Sequence, residues 1–388
     1  MFAAIQELLQ KMSPEPRPYQ ICTVTVMDTT DPDIWFDKDG VSSHVLDFRR
    51  WKQAIVEAAN KGQRLDGLKR LFDTIKESGR GKPYDCVIGI SGGVDSTYLT
   101  LQAVKHGLRP LVVHFDSGWN SELAVSNISN LVNRLNLDLF TDVVDWREMR
   151  DLQLSFFKAS VANCDIPTDH AFARVAFEQA QKYNIKYILS GGNLASESIL
   201  PGSWGYTAHD ARHLKAIQKR FGSVPLKTYP LLGMMKRYGW YQTVNGIKSV
   251  RPLDYMPYRY EDAKKVITEE LGWRDYGGKH YESVFTRYFQ GYYLPHKFGF
   301  DKRKAHYSSL ILSGQMTREE ALAKLERPPY DESLRTQDHL FIAKKLNVSV
   351  EELEQIFNAP PVDHLEYPNE KWFWDLLRKL LLPIRSPK

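Results

Sequence analysis

Cysteine is scarce, with three residues (Cys22, Cys86 and Cys164) in a chain of 388. An odd, sparse set in so long a chain excludes a disulfide framework and suits a reducing compartment. Long apolar runs are missing too, since no stretch reaches the ~18–20 residues that cross a bilayer. The start, MFAAIQELLQKMSPEPRP, interrupts its apolar residues with Gln6, Glu7 and Gln10 before any small-residue cleavage site, unlike a secretory signal. The expected location is therefore cytoplasmic. Its 24 glycines and 20 prolines follow no period, which excludes collagen-like, low-complexity and solenoid chains. Nor is there a strong charge of one sign: 52 basic against 47 acidic residues leave +5. That mild excess suits anionic small molecules such as nucleotides, without the basic stripe of a nucleic-acid binder. No nucleic-acid partner is expected. What remains, 43% hydrophobic and 26% charged, is the make-up of a folded protein, and the length predicts about two or three domains.

Residues 1–20 read as a short amphipathic helix (Phe2, Ile5, Leu8, Leu9, Met12) and a linker broken by Pro14, Pro16 and Pro18. Residues 21–46 look like a small β-rich unit, strand-like over Cys22–Met27, with turn signals at Thr30-Asp31-Pro32 and Lys38-Asp39-Gly40. A helical stretch follows over 50–79. The rhythm then changes. Strand-like runs at 86–90, 111–115, 140–144 and 187–189 alternate with helical stretches at 96–105, around Ala124, Ile128, Leu131 and Leu135, and between 147 and 183. That alternation predicts an α/β fold, a parallel sheet with helices on both faces, whose ligands bind at the carboxyl ends of the strands. From about 255 the chain reads as helical, polar and aromatic. The expected domains are 1–50, 51–255 and 256–388.

One motif decides the chemistry. Ser91-Gly92-Gly93-Val94-Asp95-Ser96 follows the first strand and opens a helix. Two glycines let successive N–H groups line one concavity, and the helix start adds unpaired donors and partial positive charge. Ser91 and Ser96 bring hydroxyls, while Asp95 offers a hard oxygen for Mg²⁺. Together they make a cradle for pyrophosphate and its metal. No Gly-Lys-Ser/Thr follows, so this is not a Walker A loop, and it is not the dinucleotide Gly-x-Gly-x-x-Gly either. It resembles the PP-loop of the ATP pyrophosphatases, a Rossmann-like superfamily. The resemblance implies cleavage of ATP between its α and β phosphates, adenylation of a carbonyl oxygen and release of pyrophosphate. Asp95 and the loop residues Ser91 to Ser96, Val94 included, are the expected ATP and Mg²⁺ site.

Further segments narrow the likeness: Val26-Met27-Asp28-Thr29-Thr30-Asp31-Pro32-Asp33-Ile34 with Phe36-Asp37, His114-Phe115-Asp116-Ser117-Gly118-Trp119-Asn120-Ser121-Glu122, Ile166-Pro167-Thr168-Asp169-His170-Ala171, Ser190-Gly191-Gly192-Asn193-Leu194-Ala195-Ser196-Glu197-Ser198 and Leu200-Pro201-Gly202-Ser203-Trp204-Gly205-Tyr206. These resemble the N-acetyl sugar amidotransferase family (WbpG/PseA type). The resemblance implies an ATP-dependent conversion of an acetamido group on a nucleotide-linked sugar into an acetamidino group, in lipopolysaccharide O-antigen or related surface-glycan synthesis. It also implies ammonia from a separate glutaminase with a cyclase-like subunit. Glutamine hydrolysis needs an activated Cys beside a His, whereas Cys86 reads as a strand residue and Cys164 as core or, less simply, a nucleophile. The family's N-terminal unit carries two Cys-x-x-Cys pairs. Here the matching positions are Cys22, Thr25, Ser42 and Val45, so no structural zinc is expected even with His44 nearby.

Other residues keep two readings. Asp116 and Ser117 end a strand and either contact the nucleotide or cap the strand. Gly191, Gly192 and Asn193 either admit ATP or form an ordinary turn, and Glu197 is a substrate or metal ligand or a solvated helix start. Asp169 and His170 are an acid–base pair or a structural helix start. Lys279, Arg287, Lys297, Lys302 and Arg303 sit among aromatics, for sugar-nucleotide phosphates, RNA or solvent. The run Trp372 to Leu382 is core or a partner or peripheral membrane surface. Two alternatives stay open: a PP-loop tRNA-modifying enzyme, and a nucleotide-binding scaffold for a glutaminase.

Overall fold

A computed structural model of the chain describes residues 17–278, 281–373 and 375–376. At its centre is a five-stranded sheet: β1 (Cys86–Gly89), β2 (Pro110–Asp116), β3 (Leu139–Val143), β4 (Tyr187–Leu189) and β5 (Lys248–Val250). The order is β3-β2-β1-β4-β5 and every pairing is parallel, with Val87 opposite Leu111 on one side and Ile188 on the other. The fold is α/β, as the alternation implied. β1 and β2 are buried on both faces, which is why they read as continuous apolar runs, whereas edge strand β3 alternates in exposure. The chain adds β2 and β3 on one side of β1, then crosses to add β4 and β5 on the other. The loops after β1 and β4 therefore part at the switch point, where such sheets open a crevice.

Helices cover the sheet. α1 (Ser43–Trp51), α2 (Gln53–Asn60) and α3 (Leu65–Ser78) precede it. α4 (Val94–Lys105), α5 (Glu122–Leu135), α6 (Trp146–Lys158) and α7 (Ile166–Lys182) form the crossovers. The Ser121 hydroxyl accepts from Ala124 N at 3.1 Å to cap α5, and Asn136, at φ +49°, ends it. α7 lies so close to β1 that a Cβ on Gly89 would fall 2.0 Å from the Phe172 ring.

The N-terminal unit corrects the β-rich expectation. Residues 23–26 form bends rather than a strand, flanked by the isolated bridge Ile21–Asp28 with a second bridge at Phe36–Ser42, and the helix starts at Ser43 instead of 50. Two buried carboxylates fasten this unit to the rest. Asp31 pairs with His44 (2.6 Å) and accepts from Ser203 (2.6 Å), while Asp28 pairs with Lys304 (2.5 Å).

After β4 come α8 (Leu194–Glu197), α9 (Ala211–Phe221) and a π-helix (Met235–Val244) leading into β5. α10 (Tyr260–Leu271), α11 (Val284–Tyr288), α12 (Leu294–Phe298), α13 (Lys302–Leu312), α14 (Arg318–Leu325), α15 (Glu332–Leu346) and α16 (Val350–Asn358) follow. One hydrophobic cluster runs from Val113 of the sheet through Phe157 to Phe285, Tyr293 and Phe357, so these helices share its core. Among the described residues no helix is long and apolar enough to cross a membrane. The N-terminal helix expected before residue 17 and most of the run from Trp372 to Leu382 lie outside the described residues.

Candidate active site

The loop from Ser91 to Ser96 stands at the switch point. Gly92 takes φ +85°, and a Cβ there would fall 2.9 Å from Ala124 O, so both conformation and space demand glycine. Its carbonyl accepts from Trp273 Nε1 at 2.8 Å. Gly93 is extended at φ −74°, ψ 164°, and gives way to α4 with Asp95 in the first turn. The loop after β4 is pressed against that turn, for a Cβ on Gly191 would sit 3.0 Å from Ser96 N. Asn193 locks the two together. Its amide donates to Asp95 Oδ1 (3.1 Å) and Gly191 O (3.3 Å), and its oxygen accepts from Ser196 N (2.9 Å), capping α8. The Tyr258 hydroxyl donates to the same Asp95 oxygen.

The exit of β2 forms a second wall. Asp116 accepts from Gly118 N (2.9 Å) and Asn120 Nδ2 (3.1 Å), and that amide also lies 3.0 Å from His114 Nε2. His114 Nδ1 donates to Ile90 O at 2.9 Å, tying this exit to the residue just before the Ser91–Ser96 loop. Ser117 is buried. Beside it opens a cleft of about 200 Å³ lined by Asp116, Gly118, Val143, Val144, Trp146 and Lys345. The Lys345 ammonium, carried by α15, lies over the rings of Trp119 (4.7 Å) and Trp146 (4.9 Å) and donates to Gly118 O. Burial lowers its pKa, and the Asp116 carboxylate opposes the shift.

A third wall is absent from the sequence reading. The point a Cβ of Gly93 would occupy is 3.4 Å from the Tyr276 hydroxyl and 3.7 Å from Glu282 Oε1. Burial, reinforced by nearby Asp95, pushes the phenols of Tyr258, Tyr260 and Tyr276 well up, so all three remain hydroxyl donors. The density of tyrosine between Tyr255 and Tyr281 was the available signal.

A glycine at φ +85° followed by a helix start suits an anion, while the Ser91 hydroxyl accepts from Gly93 N (3.3 Å) and the Ser96 hydroxyl donates to Gly93 O (3.4 Å). Among the described residues no group of three or more His, Cys, Asp and Glu is assembled to hold a metal. Asp95 would hold Mg²⁺ only together with oxygens from the ligand and water, which is how Mg²⁺ is commonly bound.

Several expected residues lie elsewhere or are already engaged. His170 is buried, with Nδ1 donating to Ala208 O (2.7 Å) and Nε2 accepting from Leu232 N (2.8 Å). Burial brings its pKa down to about 4. Both ring nitrogens are thus engaged by backbone groups. Asp169, its neighbour on α7, is exposed. Glu197 ends the short α8, its carboxylate 3.6 Å from where a Cβ of Gly192 would be. Arg287 makes a two-pronged ion pair with Asp338, at 2.7 Å on each arm. Lys297 donates to Ile356 O and Phe357 O at the end of α16, and burial lowers its pKa to about 8. Arg303 is bound to Asp301 and to the carbonyls of Arg327 and Pro328. In the structure these three cations hold the C-terminal helices together. Lys302 opens α13 beside Arg303, and Lys279 lies outside the described residues.

All three cysteines are buried. Burial pushes the thiols of Cys86 and Cys164 far up, which suits core residues rather than nucleophiles. Cys22, Thr25, Ser42 and Val45 do converge: Thr25 N and Ser42 N point at Cys22 Sγ (3.4 and 3.3 Å), and Val45 packs in the same small cluster. Although burial opposes it, those donors and the two hydroxyls bring the Cys22 pKa down.

No curated protein matches the chain. Among solved structures, NMN synthetase from Francisella tularensis is similar over 57% of this chain and 90% of that one, at 15% identity. Its TM-score is 0.28, and at that value the likeness carries no argument. The family model described as "LPS biosynthesis protein WbpG-like, C-terminal domain" matches residues 282–381. That segment begins at Glu282, on the third wall of the site, and takes in Lys345 of the second. Residues 282–381 are thus similar to the C-terminal domain of WbpG-like proteins.

Proposed function

We propose that this protein is an ATP-dependent amidotransferase of lipopolysaccharide-type glycan synthesis, converting an acetamido group on a nucleotide-linked sugar into an acetamidino group. The observation that carries the reading is the glycine loop at the switch point, Gly92 in its left-handed conformation with Asp95 tethered beside it by Asn193 and Tyr258. The family match, with its link to lipopolysaccharide, supports the substrate class.

The chain's own groups suit such a reaction. Loop amides and the start of α4 stabilise the charge that gathers on departing pyrophosphate. Asp95, one oxygen held by two donors, keeps a fixed orientation and would hold Mg²⁺, which when bound supplies charge neutralisation on the phosphates. Asp116 and the cleft beside it would take the nucleoside. The amide oxygen of the acceptor takes the adenylyl group. Ammonia then forms the new C–N bond, the C–O bond breaks with its electron pair leaving on AMP, and a proton is lost from nitrogen to give the amidine. With every thiol buried, ammonia would come from a separate glutaminase and its cyclase-like subunit.

The test is mass spectrometry of diacetamido nucleotide sugars incubated with the protein, ATP, Mg²⁺ and ammonium. Replacement of one amide oxygen by NH, with AMP formed in equal amount, is expected. An unaltered sugar across the panel, with no AMP, would contradict the reading.

A further inference from the structure

Between Asp210 and Asp254 the chain carries nine Lys and Arg and no Asp or Glu, more positive charge than the +5 of the whole molecule. Within that stretch lies the π-helix Met235–Val244. Such helices occur mostly as single turns and gather at functional sites; this one runs for ten residues. Arg237 N donates to Gly233 O (3.0 Å), and the guanidinium lies 5.7 Å from the centre of the Phe177 ring on α7. The side chain as a whole is half-buried, yet Arg237 Nε and Nη1 are sealed from solvent with no hydrogen-bond partner among the described residues. Glu178, next to Phe177, is paired with Arg174 instead. His209 is brought to the same place. His170, on the face of α7 that carries Phe177, donates to Ala208 O and accepts from Leu232 N. Its ring thus gathers the residue before His209 and the start of the segment that bears Arg237. His209 Nδ1 is likewise sealed, with no partner among the described residues. Burial brings the His209 pKa down to about 3, and the Arg237 charge adds to the shift. The imidazole is therefore neutral and free to carry its proton on Nδ1. Phe172, which lies against Gly89 of β1, is on the opposite face of α7 from His170 and Phe177.

We infer that Arg237 and His209 form an oxyanion site, on the side of α7 away from β1, that takes the phosphate group of a small molecule. A buried guanidinium without a counter-charge is strongly destabilising, and the fold keeps one here beside a second buried donor. The guanidinium offers two parallel N–H groups to the oxygens of a phosphate or a carboxylate. His209 Nδ1 adds a donor for a third oxygen, which a phosphate has and a carboxylate lacks. The local excess of Lys and Arg favours the doubly charged group as well. This site does not depend on the nucleotide reading of the glycine loop.

The experiment is NMR of the full chain with labelled histidine rings, titrated with inorganic phosphate. One imidazole signal, missing from His209→Gln, is expected to move and saturate. In Arg237→Gln the same signal should need at least about tenfold more phosphate. Because Arg237→Gln removes an unpaired charge, its thermal midpoint without phosphate should be no lower than that of the natural protein. A His209 signal that stays still in the natural protein, as when phosphate is taken by the glycine loop alone, overturns the inference. So does an equal response in Arg237→Gln, or a lower midpoint, which would show the guanidinium already paired.

Discussion

Under the proposed function Gly92 and Asp95 carry most of the weight, and each can be questioned singly. In Gly92→Ala the new methyl meets Ala124 O at 2.9 Å in a backbone conformation at φ +85° that alanine avoids. A loss of about 1–3 kcal/mol in denaturant unfolding is expected, together with loss of nucleotide binding by calorimetry. Asp95→Asn keeps the shape and removes the charge. It should lower AMP formation by about a hundredfold or more with the thermal midpoint nearly unchanged; equal turnover would remove Asp95 from the chemistry. At this scale the sequence was a good guide where a residue's role depends on its immediate neighbours in the chain. Gly92 announces a left-handed loop by standing between a strand and a helix. Arg287 gave no such hint, because its partner Asp338 is 51 residues away and only packing brings them together. The same holds for His170, whose two backbone partners, Ala208 O and Leu232 N, come from distant loops.

Strands β1, β2 and β4 were legible as short apolar runs because both faces of each are covered. β5 was not. Its three residues, Lys248, Ser249 and Val250, are edge positions that pair only with β4 and carry no apolar signature. The N-terminal unit misled for the opposite reason: β-branched Thr23, Val24, Thr25 and Val26 suggest a strand, yet Thr25 N turns back onto Cys22 Sγ. Three residues cannot close a turn of that kind and stay extended. Among the C-terminal helices, α11 and α15 are joined by the Arg287–Asp338 pair, to which Tyr330 also donates its hydroxyl. Asp338→Ala would leave a largely buried guanidinium without its counter-charge, and a destabilisation of about 3–5 kcal/mol is expected in urea unfolding. A change under about 1 kcal/mol would show that solvent, not Asp338, satisfies Arg287.

Taken whole, the molecule places a sheet's switch point under a cover made by residues far along the chain: Tyr258, Trp273, Tyr276 and Glu282 all reach the loop that follows β1. The sequence disclosed the floor of this site and not its roof, since roofs are assembled by tertiary packing and leave no local pattern. The shared core also sets a pH response. His170 and His213 are buried neutral, with pKa values brought down to about 4 by desolvation, and His364 packed on His213 is lowered as well. Unfolded histidines take up protons below about pH 6.5, so between roughly 6.5 and 4 the unfolded chain binds more protons than the native one. Stability is full above that window and falls as pH drops through it, by about 1.4 kcal/mol per pH unit for each such histidine. Unfolding midpoints measured from pH 7.5 to 4.5 should show that slope, and His213→Gln should reduce it; a flat profile would mean these rings are protonated in the native state.

Everything in the functional account depends on where ATP is cut. Phosphorus NMR of a turnover mixture containing the protein, Mg²⁺, ATP, ammonium and an acceptor sugar reads this directly. The account predicts AMP and pyrophosphate rising together in equal amounts with the amidine, and ADP with inorganic phosphate in their place would contradict it.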